Sequence, residues 1–332
     1  MAFRFKLDEP IDKGFRRIGA EQLVRAHRQI SAGADPAREV HEARKALKRV
    51  RALLRLGREG LTEDVFRSEM ARIRALAAQL APARDRHVLR ETLAGLAAVA
   101  PPSADGAIAR FRQAMTARET ADPSPEFDPA EAAAELDRAL EGFRRIRLAP
   151  NTFATVASGL TRCYRKARAS FAAAYDEPTD EAFHTWRKGV QTYWRHMALL
   201  SRAWPEHFEA NVAAARDLSQ ILGHDHDLAL LAEALARLPE PALTDEDRAT
   251  ISALIHDRQS RLRRLAEPRG ALLFAEGPKA FRRRSLAIWL AATARARLDR
   301  DAETEDVTEP DAAATPPSSG EAGLASPGKA RD

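Results

Sequence analysis

Two tracts of this chain carry matching residues at nearly the same separation, and that repeat restricts the fold more than any other feature. His41-Glu42-Ala43-Arg44-Lys45 returns 143 residues later as His184-Thr185-Trp186-Arg187-Lys188. Leu80-Ala81-Pro82-Ala83-Arg84-Asp85 is followed at an offset of 142 by Leu222-Gly223-His224-Asp225-His226-Asp227. Two separate matches at one offset imply a unit that occurs twice, joined near the middle of the chain. Residues 119–129, with three prolines and four acids, read as that linker rather than as a helix.

The unit is helical. Ala, Leu, Arg and Glu fill long segments with a helical period, Pro and Gly interrupt them, and few stretches alternate as strands do. The pattern predicts an all-α body with helices near 14–32, 36–58, 62–81, 84–99, 103–118, 130–147, 151–176, 179–203, 206–222, 226–238, 244–267 and 278–299. The body spans 1–300, with a first half at about 12–118 and a second at about 150–299. Residues 301–332 hold eight acids, two bases and no aromatic residue among Pro, Ser, Gly and Ala, a composition expected to be a disordered acidic tail.

Setting the tail apart sharpens the charge. The whole chain carries +5, but residues 1–300 contain 51 bases and 40 acids, a net of +11. A basic body invites an anionic partner, and the placement of the bases decides whether one is meant. The single thiol, Cys163, excludes an intramolecular disulfide and a cysteine-based zinc or iron–sulfur site. Arg4, Lys6, Asp8 and Glu9 occupy the place of a signal peptide's apolar run, and no uncharged stretch approaches the ~20 residues of a membrane span. A soluble cytoplasmic protein is expected, with no membrane contact.

At 100° per residue, Val40, Ala43, Leu47, Val50 and Leu54 share one stripe of the first motif helix, as a core-packing face requires. His41, Arg44, Lys45, Lys48, Arg51 and Arg55 form a second stripe roughly 130° away and about 20 Å long. From Arg44 to Arg58 there are seven bases and no acid. A solvated helix face mixes signs to gain pairs one turn apart, whereas an unbroken cationic row becomes tolerable when a bound polyanion relieves its repulsion. The second copy keeps His184, Arg187 and Lys188 and then departs, with Gln191 for Lys48, Trp194 for Arg51 and Ala198 for Arg55. Arg195 and the run Arg162 to Arg168 restore charge nearby, so a site here is asymmetric and built more from the first half. Each His supplies a neutral imidazole that donates one hydrogen bond to an anion and gains charge below about pH 6.5.

His-x-x-Arg-Lys-x-x-Lys-x-x-Arg on a helix, its partial second copy and Leu-Gly-x-x-His-Asp-Leu at 222–228 resemble the CHAD domain, the conserved histidine α-helical domain. The resemblance implies two four-helix bundles related by pseudo-two-fold symmetry, with a basic groove or pore between them. It also implies binding of inorganic polyphosphate and association with polyphosphate granules. Carried over by position, the contacts are His41, Arg44, Lys45, Lys48 and Arg51, with Arg55 on the same stripe, and His184, Arg187 and Lys188 from the second half. Arg165, Arg168, Lys279 and Arg283 are further candidates as basic residues in family-like segments. Nothing resembles the Glu-x-Glu-x-Lys strand motif of the triphosphate-tunnel domain fused to many relatives, so the stand-alone form is expected, without cofactor or catalysis.

Three other readings stand beside it. His224-Asp225-His226-Asp227 could hold a divalent metal for phosphohydrolysis, although adjacent residues point in different directions and the first copy offers only Arg84 and Asp85. A loop capping the following helix is the alternative role for Asp225 or Asp227. Nucleic-acid binding would suit a basic surface but would call for a docking motif or stacking aromatics, and neither is found. In the third, the charges are incidental to a helical scaffold.

Overall fold

The computed structural model describes residues 3–32, 36–80, 82–121 and 128–308. Among the described residues there are eleven α-helices and no strand, so the all-α expectation holds. In chain order they are α1 (Ile11–Ile30), α2 (Pro36–Leu56), α3 (Glu63–Gln79), α4 (Pro82–Ala97), α5 (Asp105–Ala121), α6 (Pro129–Arg145), α7 (Phe153–Asp176), α8 (Asp180–Leu200), α9 (Pro205–Ala236), α10 (Asp245–Leu273) and α11 (Pro278–Thr308). Helix starts recur at the sequence offset: α1 and α7 open 142 residues apart, and so do α3 and α9. Most of the expected linker, residues 122–127, lies outside the described residues. So does 309–332 of the expected tail, whereas residues 301–308 continue α11.

Helices α1, α2, α3 and α6 contact one another in a ring. Helix α6 closes that ring because Ala132, Leu136, Ala139 and Phe143, at helical spacing, bury one face. Phe143 stacks on Phe15 at 5.4 Å, and the approach requires glycine at position 19, where a Cβ would lie 1.9 Å from the Phe143 ring. Helices α7 and α8 pack together, α8 on α9, and α11 on α7. One large core joins these elements. A second core forms where α4 and α5 meet the far half of α9 and α10 through Leu93, Phe111, Leu231 and Ile255.

The structure also overturns a local expectation in the second half. A break was expected at 222–226, but α9 runs unbroken for 32 residues through that segment. In the first copy Pro82, which has no amide proton and suits the first position of a helix, opens α4; its counterpart His224 keeps the proton and lies inside α9. Asp225 and Asp227 are therefore mid-helix residues and cap nothing.

Helix α2 lies at the centre. Besides Val40, Ala43, Leu47, Val50 and Leu54, it buries Ala46, Ala52, Leu53 and Leu56, because α7 and α8 cover a second face. Gly159 of α7 sits against the end of α2 so closely that a Cβ would stand 2.0 Å from the Leu56 carbonyl oxygen. From α8, His196 reaches Ala52 at 2.9 Å; a carbonyl only accepts, so Nε2 carries the proton and donates.

Candidate functional site

The double burial of α2 changes the state of its cationic row. Arg44, Lys48, Arg51 and Arg55 are half-buried at the edge of the covered face, as is His41, while Lys45 is exposed. Arg44 donates to the Ala77 carbonyl of α3 at 2.9 Å, which draws it toward the neighbouring helix. Lys45 pairs with Glu42 at 2.7 Å, and Glu42 also pairs with Arg25 at 3.1 Å. The acid just ahead of the row thus neutralises its most exposed member.

Arg51 and Arg55 have no such partner. Among the described residues no carboxylate forms an ion pair with either, and the buried Nε of Arg51 makes no hydrogen bond. Burial pushes Arg51 down to about 10, with further depression from Arg55, Arg74 and Arg44. Arg55 is lowered by burial too, and then by Arg74 and Arg162. Cations from α2, α3 and α7 thus disfavour one another's charge. Arg162 donates to the Arg55 carbonyl at 2.8 Å and to Glu59 at 2.9 Å, which holds it beside the end of α2.

The second motif assembles differently. Thr179 caps α8 by accepting from the Ala182 amide at 3.1 Å, which places His184 in the second turn. The His184 ring stacks on His226 of α9, with centroids 3.9 Å apart, and Arg187 lies over Gly223, with Nε 3.8 Å from where a Cβ would be. The two sequence motifs therefore touch across α8 and α9. Lys188 pairs with Glu181 at 3.6 Å. Burial lowers His184, helped by Lys188 and Arg187. His226 falls to about 4 through burial and then His184, Arg187 and Lys188, so both imidazoles are neutral at pH 7.

The rest of the His224 to Asp227 segment scatters. Asp225 is buried against α10, accepting from Arg263 at 2.8 Å, while His224 and Asp227 line a cleft facing α4. Among the described residues no group of three or more His, Cys, Asp or Glu is arranged to hold a metal ion. The metal-box reading of this segment loses its geometry: one side chain serves α8, one serves α10 and two face α4.

Arg195 joins the two motifs. Only 7% exposed, it donates to the Gln191 carbonyl at 2.6 Å and leaves its Nε unbonded. Burial, then Arg49, Arg216, Arg55 and Arg187, pushes it down to about 9. It therefore feels both the first-half cluster and the second motif. Its neighbour Trp194 lies against two guanidiniums, with Arg195 4.1 Å and Arg216 4.6 Å from the ring centroid.

The weaker candidates lie on α7 and α11. Arg168 donates to the Phe274 carbonyl at the end of α10 at 3.0 Å. Arg165 is exposed on α7, and Lys279 and Arg283 are exposed on α11, which packs chiefly on α7. Arg49, Arg74 and Arg216 were not among the expected residues. Arg74 and Arg216 stand 142 residues apart, so the repeat offset itself was a signal that could have found them.

No helix among the described residues is long and apolar enough to cross a membrane. No curated protein matches the chain. A family model described as the CHAD domain matches residues 18–236, which takes in α2, α8 and α9 with both motifs and stops short of Lys279 and Arg283. With two thirds of its length matched and both halves of the motif pair inside the match, the chain belongs to the CHAD domain family.

Proposed function

We propose that this protein binds inorganic polyphosphate, without catalysis, along a cationic surface centred on the α2–α8 contact. The observation that carries the reading is the pair Arg51 and Arg55, half-buried, lacking a carboxylate partner and crowded by Arg74 and Arg162. Such a cluster opposes its own folding, and an extended anion relieves the repulsion while supplying acceptor oxygens to guanidinium groups. Polyphosphate offers repeating charge with no apolar part, which suits this stretch of α2, where Arg74 and Arg162 stand beside Arg51 and Arg55. Arg44, Arg51, Arg55 and Arg74 from the first half with Arg162 of α7 form the main contact set, Arg195 bridges, and His184, Arg187 and Lys188 continue it. His41, Lys45 and Lys48 extend it along α2.

The 142-residue offset of helix starts supports reading the body as two related bundles with pseudo-two-fold symmetry and a basic groove where α2 meets α8. Recruitment to cytoplasmic polyphosphate granules is the cellular role that follows. Competition between long-chain polyphosphate and duplex DNA at fixed salt tests the reading. Polyphosphate should displace DNA at lower phosphate concentration; equal or weaker competition would favour a general nucleic-acid surface instead.

A further inference from the structure

A cleft of about 380 Å³ opens beside the second half and differs in chemistry from the α2 row. Its walls come from Arg49 of α2, Trp194 and Ala198 of α8, Glu209, Val212 and Arg216 of α9, and Phe3 with Arg4 from the segment before α1. That leading segment is tied down: the Phe5 amide donates to the Leu199 carbonyl at 2.9 Å, and Arg17 donates to the Arg4 carbonyl at 3.1 Å. Arg49 stands 5.6 Å from the Phe3 ring centroid and donates to Gln22 at 3.1 Å. Among the described residues no carboxylate forms an ion pair with Arg4, Arg49 or Arg216.

Three guanidiniums around one cleft call for phosphate-like charge. Half of the wall is apolar, however, and a bare polyphosphate has nothing to bury against Trp194, Phe3, Ala198 and Val212. An anion that also carries a flat ring satisfies both halves, since nucleobases stack on aromatic side chains and on guanidinium planes alike. The volume suits one small molecule rather than a polymer. We propose that this cleft is a second, separate site that binds a nucleoside di- or triphosphate. Its phosphates meet Arg4, Arg49 and Arg216, its base lies on Trp194, and the Glu209 carboxylate accepts from the ribose hydroxyls. Arg216, exposed on α9 and now against the indole, is the cation that a phosphate draws off the ring, clearing it for the base.

The test is titration of the full chain with ATP, with tripolyphosphate as the phosphate-only arm and adenosine as the base-only arm, each followed by calorimetry. ATP should bind more tightly than either fragment. Trp194→Ala and Trp194→Leu should each weaken ATP about tenfold or more, the scale of one base stack, and shift tripolyphosphate by less than about threefold. Trp194→Phe should keep most of the ATP affinity, and matching thermal melts would show that the variants fold. Equal affinities for ATP and tripolyphosphate, or ATP affinity indifferent to Trp194→Leu, would overturn the proposal. Long-chain polyphosphate binding retained in the absence of ATP binding would sink this site alone and leave the α2 surface standing.

Discussion

At equivalent positions the two motif helices solve the same electrostatic problem in opposite ways. On α2, Arg51 and Arg55 face Arg74 with no acid and no ring between them, and burial with mutual repulsion depresses both. On α8 the corresponding residues are Trp194 and Ala198, and Arg216, the counterpart of Arg74, stacks on the indole. An aromatic quadrupole accepts a guanidinium at close range, by about 0.5–1 kcal/mol at exposed sites, so Arg216 rests on a ring where Arg51 and Arg55 have neither ring nor acid. On the proposed reading that pair is where the polyanion contributes most. The repeat thus keeps the 142-residue offset of helix starts while an Arg-to-Trp difference changes what lies beside the cations.

Reversing charge on one side only is the sharpest way to break this comparison. Arg51→Glu with Arg55→Glu should weaken long-chain polyphosphate binding about 100-fold, two charge-assisted contacts at roughly tenfold each. Arg216→Glu should cost about tenfold at most, by calorimetry at the same salt. Equal losses would mean that the halves contribute alike. The double variant should not melt earlier than the parent, because it removes guanidiniums that repel one another.

The next effect tests how α7 and α8 force burial on α2. Gly159→Ala drives a methyl into the Leu56 carbonyl, a backbone group that cannot rotate away, and should destabilise by about 2 kcal/mol in urea titration. Full stability would mean that α7 does not sit on α2 as described.

His196 carries the same contact from α8. Its pKa in the fold is lowered from 6.5 to about 4 by burial, then by Arg55, Arg162 and Arg195. The unfolded chain therefore takes up this proton first as the pH falls. Stability is intact above pH 6.5 and is lost as the pH drops toward 4, at no more than about 1.4 kcal/mol per pH unit for this one group. His226 adds loss in the same window and sign. Urea midpoints at pH 7, 6 and 5 measure the slope, which should flatten in His196→Gln; a slope unchanged by that substitution would assign it elsewhere.

The smallest effect separates the two copies of the second motif. Gly223 lies inside α9 with Arg187 at an ordinary contact distance, so Gly223→Ala should raise stability by about 1 kcal/mol through helix propensity alone. Destabilisation there would show that Arg187 is packed more tightly than the helix can spare.

Much of this was legible in the chain. Helical period and the repeated His-x-x-Arg-Lys placed the helices and both motifs, since those signals are local and α2 and α8 both follow them. The continuity of α9 was missed because Leu-Gly-x-x-His reads as a breaker until the missing proline is weighed against Pro82. The pairing of Lys45 with Glu42 and the partnerless state of Arg51 were not readable, because each depends on which face a second helix covers. Period locates the core stripe; it does not announce that Ala52 and Leu56 are buried by α7 and α8.

Salt dependence of polyphosphate affinity in the parent chain and in Arg51→Gln, Arg55→Gln tests the central claim most directly. If these two guanidiniums neutralise phosphates, affinity in the parent should fall linearly on logarithmic axes, and the variant's slope should be shallower by about 1.4, at roughly 0.7 per single-strand phosphate contact. Parallel lines, or binding in the parent that ignores salt, would contradict it.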